Sequence, residues 1–131
     1  MGEDRVVLLV EDEEPNRALL RAVLARASID RLPNVVLVEA ADLATARAVL
    51  AARRVDLVLL DVRLPDGNGL SLIPADAARD ERSPLFLVLS ASVLPTERAD
   101  ALASGASGFL AKPYRPTELI EAVVDLLPPA T

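Results

Sequence analysis

Five short apolar runs, separated by stretches with helical spacing, set the pattern of this chain. VVLLV at residues 6–10, VVLVE at 35–39, LVLL at 57–60, LFLVL at 85–89 and GFLA at 108–111 are nearly continuous in apolar character. They do not alternate with polar residues, which is the signature of strands covered on both faces. Helical spacing runs through residues 15–27, 42–53, about 71–79, 95–104 and 116–127. Pro15, Pro95 and Pro116 fall where a first-turn residue is expected, a place where the missing N–H costs nothing. Asp42 and Ser71 read as N-caps, and a cap at Ser71 puts Pro74 harmlessly in a first turn. Strand then helix, repeated five times, predicts a parallel sheet joined by right-handed crossovers, an α/β fold with five helices on both faces. For five strands the flavodoxin-like order 2-1-3-4-5 is the leading arrangement.

Composition narrows this picture. The 131 residues are expected to form one domain over residues 1–131, with a single sizeable core. Hydrophobic residues make up 52% of the chain, but only two are Phe, one is Tyr and none is Trp, so the core is aliphatic. No apolar run approaches the roughly 18 residues of a membrane span, and the opening MGEDRVV lacks the basic-then-apolar order of a signal peptide. The expectation is a soluble, cytoplasmic protein with no membrane association. The absence of Cys and His excludes disulfides, thiolate nucleophiles, ordinary zinc sites and His-based catalytic dyads. A net charge of −6 argues against direct nucleic-acid binding, which needs clustered Lys and Arg.

The informative polar residues are those at strand ends. In a parallel sheet of this type every strand finishes on the same edge, and ligands bind there, beside the switch point between the first and third strands. The first run is followed by Glu11 and Asp12, the third ends in Asp61, the fourth in Ser90, and the fifth meets Lys112 at once. Singly, each has a bland reading: a loop-capping carboxylate, a solvated acidic turn before a helix, a satisfied hydroxyl, a surface charge. Together they put three carboxylates, a hydroxyl and an ammonium on one rim. Two carboxylates about 4 Å apart repel by roughly 4 kcal/mol at an effective dielectric near 20, so a cluster of this kind calls for a cation. Oxygen-only ligation selects a hard dication, and few carboxylates with several retained waters suit Mg²⁺ better than Ca²⁺. Such a dication beside Lys112 and Ser90 would hold a phosphoryl group, and Asp61 becomes a candidate nucleophile that forms an acyl phosphate.

With those residues in place the chain resembles the receiver domain of two-component response regulators. The resemblance runs almost end to end, through VVLLVEDEEPNR, DLVLLDVRLPDGNGL, LFLVLSAS and ASGFLAKPY, in that order. It implies that Asp61 is the phosphoryl acceptor, that Glu11 and Asp12 are the acidic pair for Mg²⁺, and that the backbone carbonyl of Arg63 completes the metal site. It further implies that Ser90 is the switch hydroxyl, that Lys112 contacts the phosphoryl group, and that the bond from Lys112 to Pro113 is cis. Phe109 matches the aromatic switch position, although residue type alone fits a core Phe equally well. Arg63 and Ser92, two residues beyond Asp61 and Ser90, stand where the family tunes the lifetime of the acyl phosphate. The first acidic position is Glu11, where the family more often has Asp, which leaves metal contact mainly to Asp12 and water.

The implied activity is signalling: self-catalysed phosphotransfer and autodephosphorylation, with no separate enzymatic turnover. The donor would be a phosphohistidine on a sensor histidine kinase or a histidine phosphotransfer protein, docking over the Asp61 rim and the first helix, where Leu19, Leu20 and Val23 lie. Phosphorylation would bias the face built from the fourth helix, fifth strand and fifth helix, for a downstream protein target or a second copy. One rival is a pseudo-receiver, an unphosphorylated interaction module of the same fold, which typically lacks one of the residues present here. Another is a phosphohydrolase of the haloacid-dehalogenase type, which wants a second aspartate where this chain has Arg63. The final LPPAT follows the fifth helix, and no effector domain is expected within this sequence. A stand-alone regulator, a piece of a longer one and the receiver of a hybrid kinase are all compatible with that ending.

Overall fold

The computed structural model describes residues 4–27, 34–74, 83–91 and 95–127. Strands β1 (Arg5–Val10), β2 (Val35–Ala40), β3 (Leu57–Asp61), β6 (Leu85–Ser90) and β7 (Gly108–Ala111) form one sheet. Its order is β2-β1-β3-β6-β7, with every pairing parallel. This is the flavodoxin-like 2-1-3-4-5 order expected from the sequence. A two-stranded antiparallel ribbon, β4 (Arg63–Leu64) with β5 (Gly67–Asn68), interrupts the chain just past β3.

The continuous apolar runs are explained by burial on both faces. Val6, Leu8, Val10, Val58, Leu60, Phe86 and Val88 pack on one side with Leu43 and Ala46 of α2 (Leu43–Ala52) and Ala101 of α3 (Pro95–Ala103). Val7, Leu9, Leu57, Leu59, Leu87 and Leu89 point the other way. They meet Leu20 and Leu24 of α1 (Glu14–Ala27) and Leu119 and Val123 of α4 (Pro116–Leu126). Side chains that alternate across each strand thus serve two helix layers, and an interior strand has no face left for polar residues. Phe109 of β7 packs partly buried against the α2 and α3 layer. Among the described residues no helix is long and apolar enough to cross a membrane.

Two helix starts follow the sequence signals. Asp42 is in an extended conformation and accepts a hydrogen bond from the Thr45 N–H at 2.7 Å. Pro116 opens α4, and the Arg115 N–H just before it donates to Glu118 Oε1 at 2.9 Å. The predicted helix at 71–79 is corrected in its first turn: Ser71 is no N-cap. It lies inside a single 3-10 turn, Gly69–Leu72, capped by Asn68, whose side chain accepts from the Leu70 N–H. The ribbon aims the Asn68 amide at that turn, and Ser71 Oγ donates back to the Asn68 carbonyl at 2.7 Å, so its hydroxyl faces upstream. Ile73 is already extended, residues 75–79 lie outside the described residues, and the described residues hold four α-helices where five were expected.

Asp66, at the tip of the ribbon, reaches across to the start of α2. Its two carboxylate oxygens accept from the N–H groups of Leu43 at 2.8 Å and Ala44 at 3.1 Å. Those are amides that a helix leaves unpaired at its N-terminus, and the hydrogen bond from Leu43 is the chief cause that holds Asp66 below the ordinary carboxylate range.

Candidate functional site

The parallel register brings the strand ends together on one rim. Asp61 closes β3 opposite Leu89, so Ser90 of the neighbouring strand sits one step further toward that edge. Glu11 follows β1 directly, and its N–H continues the sheet by donating to the Ala40 carbonyl at 3.0 Å. Lys112 follows β7 in the same way, its N–H donating to the Ser90 carbonyl at 2.7 Å. The bond from Lys112 to Pro113 is cis, as the resemblance implies. Glu11, Asp12, Asp61, Ser90 and Lys112 are therefore assembled by ordinary sheet hydrogen bonding from four strands far apart in sequence.

Their surroundings differ, and so do their chemical prospects. The side chain of Glu11 is only 3% exposed. Its Oε1 accepts from Asn16 Nδ2 at 2.9 Å and from the Lys112 ammonium at 3.3 Å. Asp12, next along, is exposed. Asp61 lies between these extremes: its Oδ1 accepts from the Arg63 N–H at 3.1 Å, and its Oδ2 faces Lys112 Nζ at 3.5 Å. Burial alone would lower the pKa of Lys112. The charges of Asp61 and then Glu11 outweigh it and hold the ammonium above the ordinary lysine range. Ser90 is 2% exposed and its Oγ donates to a carboxylate oxygen of Glu97, in the first turn of α3.

One carboxylate oxygen from each of Glu11, Asp12 and Asp61 lies within 4.8 Å of the others. At that separation each pair repels by about 3.5 kcal/mol at an effective dielectric of 20. Lys112 is a single positive charge shared among three negative ones. The donor set, carboxylate oxygens with one outward-facing member, fits a hard divalent ion that keeps part of its water shell. Glu11 is already engaged by Asn16 and Lys112, whereas Asp12 is exposed.

The turn after Asp61 is constrained by a glycine. A side-chain carbon at Gly69 would lie 2.1 Å from the Asp61 carbonyl oxygen and 3.1 Å from a Leu60 methyl, and the Gly69 N–H donates to the Val62 carbonyl at 2.6 Å. Glycine is needed because the returning chain passes directly over the backbone of Asp61.

Arg63 is exposed and lines a cleft of about 450 Å³ with Asn68, Glu97 and Asp100. A second cleft, of about 260 Å³, is lined by Glu11, Asn16, Leu19, Leu20, Lys112 and Tyr114. Leu19 is 60% exposed beside it, an uncommon position for so large an apolar side chain. Tyr114 is half-buried there, and burial pushes its phenol above the ordinary range. Ser92 lies outside the described residues. Two residues that sequence reasoning passed over now belong to the site's surroundings: Glu97, through Ser90, and Asp66, through α2. Glu97 carried only the signal of an acidic first-turn residue, and Asp66 only that of a turn former.

Strand order, helix layers and an acidic cluster at the switch point define a flavodoxin-like α/β domain of the CheY-like kind. Residues 7–124 match the family described as the response regulator receiver domain. Response regulator protein PilR of Pseudomonas aeruginosa is 36% identical over 120 residues, covering 92% of this chain and 25% of PilR. The DNA-binding transcriptional activator DevR/DosR of Mycobacterium tuberculosis is 37% identical over 125 residues, covering 92% of this chain and 53% of the relative. The chain thus spans between a quarter and about half of these relatives. Among solved structures, chemotaxis response regulator CheY4 of Vibrio cholerae superposes with a TM-score of 0.77 at 26% identity, covering 95% of this chain and 99% of that one. The receiver domain of sensor histidine kinase PA1611 of Pseudomonas aeruginosa, solved with a magnesium ion coordinated in its active site cleft, gives 0.76 at 28% identity, over 94% and 97% of the two chains. This chain belongs to the response regulator receiver domains of bacterial two-component signalling. Domains of the family interact with histidine kinases or phosphotransfer proteins.

Proposed function

We propose that this domain accepts a phosphoryl group from a phosphohistidine onto Asp61 and converts that event into a change of surface. The observation that carries the reading is the meeting of three carboxylates within 4.8 Å and one lysine at the sheet's switch point. An Asp61 carboxylate oxygen attacks phosphorus, the new O–P bond forms, the P–N bond to the donor imidazole breaks, and the departing nitrogen takes a proton from solvent. Lys112 and Ser90 hold the phosphoryl oxygens, the first by charge and the second by hydrogen bonding. Mg²⁺ would be held by Asp12, Asp61 and the Arg63 carbonyl, with Glu11 behind them, and when bound it supplies positive charge to the oxygens of Asp61 and of the phosphoryl group. Arg63 and Ser92 set the lifetime of the acyl phosphate, and Phe109 moves with Ser90 as the switch.

The phosphoryl donor, a sensor histidine kinase or histidine phosphotransfer protein, seats on the cleft beside Leu19 and Leu20, next to the rim. The output face is formed by α3, β7 and α4, open to a protein target or a second copy, and the net charge of −6 speaks against direct nucleic-acid contact by this domain. The test is to add Mg²⁺ with a small phosphodonor or with beryllofluoride and measure modification or binding, with Asp61→Asn as control. Mg²⁺-dependent modification in the parent, lost in Asp61→Asn, is the expected result. No Mg²⁺-dependent response, or an equal one in the variant, would leave the domain an unphosphorylated interaction module.

A further inference from the structure

Ser90 has one hydroxyl proton, and in this structure that proton is donated to Glu97. The bond is partly buried, with Ser90 2% exposed and Glu97 half-buried. It is also charge-assisted, of a class roughly twice as strong as neutral pairs. Glu97 stands in the first turn of α3, where the helix N-terminus favours a carboxylate, so its place there is stable in its own right. Ser90 is also tied to the rim through its carbonyl, which accepts from the Lys112 N–H. The same residue is therefore tied by its backbone to Lys112 and by its side chain to the start of α3.

Resting on the phosphoacceptor reading of Asp61, we infer that Glu97 is a positioning residue that sequesters the Ser90 hydroxyl, so that phosphorylation must win this proton from Glu97 and thereby unlatch the first turn of α3. A phosphoryl group on Asp61 is a second anionic acceptor for the same proton, and the two acceptors cannot both hold it. When Ser90 turns to the phosphoryl oxygens, Glu97 loses its donor and the first turn of α3 loses this hydrogen bond to β6, while Ala101 stays packed on the sheet. The cleft that Glu97 shares with Arg63, Asn68 and Asp100, about 450 Å³, gives the released carboxylate room. Because the hydroxyl is held elsewhere in the resting state, apparent affinity for an acyl-phosphate mimic falls by the fraction of molecules in which it is free.

The experiment is isothermal titration of the full chain with beryllofluoride in saturating Mg²⁺, for the parent, Glu97→Ala, Glu97→Gln, Ser90→Ala and Glu97→Ala/Ser90→Ala. Glu97→Ala should tighten binding about tenfold, equivalent to about 1.4 kcal/mol. Glu97→Gln, which still accepts but without charge, should fall between, and it keeps the test in force if the alanine variant does not fold. In the Ser90→Ala background the Glu97→Ala change should shift affinity by less than about twofold, since only a long-range charge effect remains. Equal affinity of Glu97→Ala or Glu97→Gln with the parent overturns the inference. So does the same tightening in both backgrounds, which would mean simple charge repulsion. If the parent itself binds no beryllofluoride, the phosphoacceptor reading fails, and the latch fails with it.

Discussion

Replacing Asp12 with alanine should make the metal-free protein more stable while abolishing its response to Mg²⁺. Asp12 has two carboxylate neighbours within 4.8 Å, Glu11 and Asp61. Each repulsion is about 3.5 kcal/mol at an effective dielectric of 20 and about 0.9 kcal/mol in bulk water. With Asp12 exposed and Glu11 buried, the operative value lies between, near 1.7 kcal/mol per pair at a dielectric of about 40. Lys112 returns at most one attraction of that size. Removing an acidic residue just ahead of α1 forgoes up to about 1 kcal/mol of favourable helix-end interaction. Repulsion therefore wins by about 1 kcal/mol, or about 3 °C in Tm for a chain of this length. The assay is thermal unfolding at low ionic strength with chelator and again with Mg²⁺, using Asp12→Asn as an isosteric check. The parent should gain about 2.7 kcal/mol at a Mg²⁺ concentration near one hundred times its Kd, and the variants should gain nothing, so the stability ranking reverses. Raising salt to about 0.5 M, where the screening length is about 4 Å, should erase most of the apo difference. An apo Tm equal to or below that of the parent in both variants would refute the claim that the cluster is strained.

Two further outcomes follow from the loop beyond Asp61. Gly69→Ala must open a 2.1 Å approach to the Asp61 carbonyl, which should lower stability by about 3 kcal/mol in denaturant unfolding and weaken Mg²⁺ binding together; a variant as stable as the parent would mean the turn yields easily. Asp66 has its pKa lowered by the Leu43 N–H above all. Its contribution is therefore fully present above the unfolded-state value near 3.9 and is lost as pH falls through the lower folded-state value. Amide exchange at Leu43 and Ala44 should accelerate over that acid range before the protein unfolds as a whole, and retained protection there would contradict the brace.

The strands were legible because burial on both faces leaves one solution, a continuous aliphatic run, and here such runs are closed by the polar residues of the rim. Asp61 and Lys112 stood out because they terminate those runs. The start at Ser71 was misplaced because Ser71 and Asn68 both have the chemistry of a cap. Which of them serves depends on the β4–β5 ribbon, a pairing of two residues with two that carries almost no pattern in sequence. Glu97 and Asp66 were invisible as partners for a different reason. Their contacts, to Ser90 on β6 and to the N–H groups of α2, are made across elements, and sequence spacing constrains only what lies within one.

The brace from Asp66 to α2 also bears on what the rim can communicate. Asp61 lies on the strand next to β6, whose terminal Ser90 donates to Glu97 in the first turn of α3, and it is followed by the short ribbon whose Asp66 accepts from the first turn of α2. Both helices lie on the same face of the sheet. If the proposed phosphorylation of Asp61 moves both elements, the domain works as a fork, and the amides of Leu43 and Ala44 give a second meter that can be read while the α3 branch is cut.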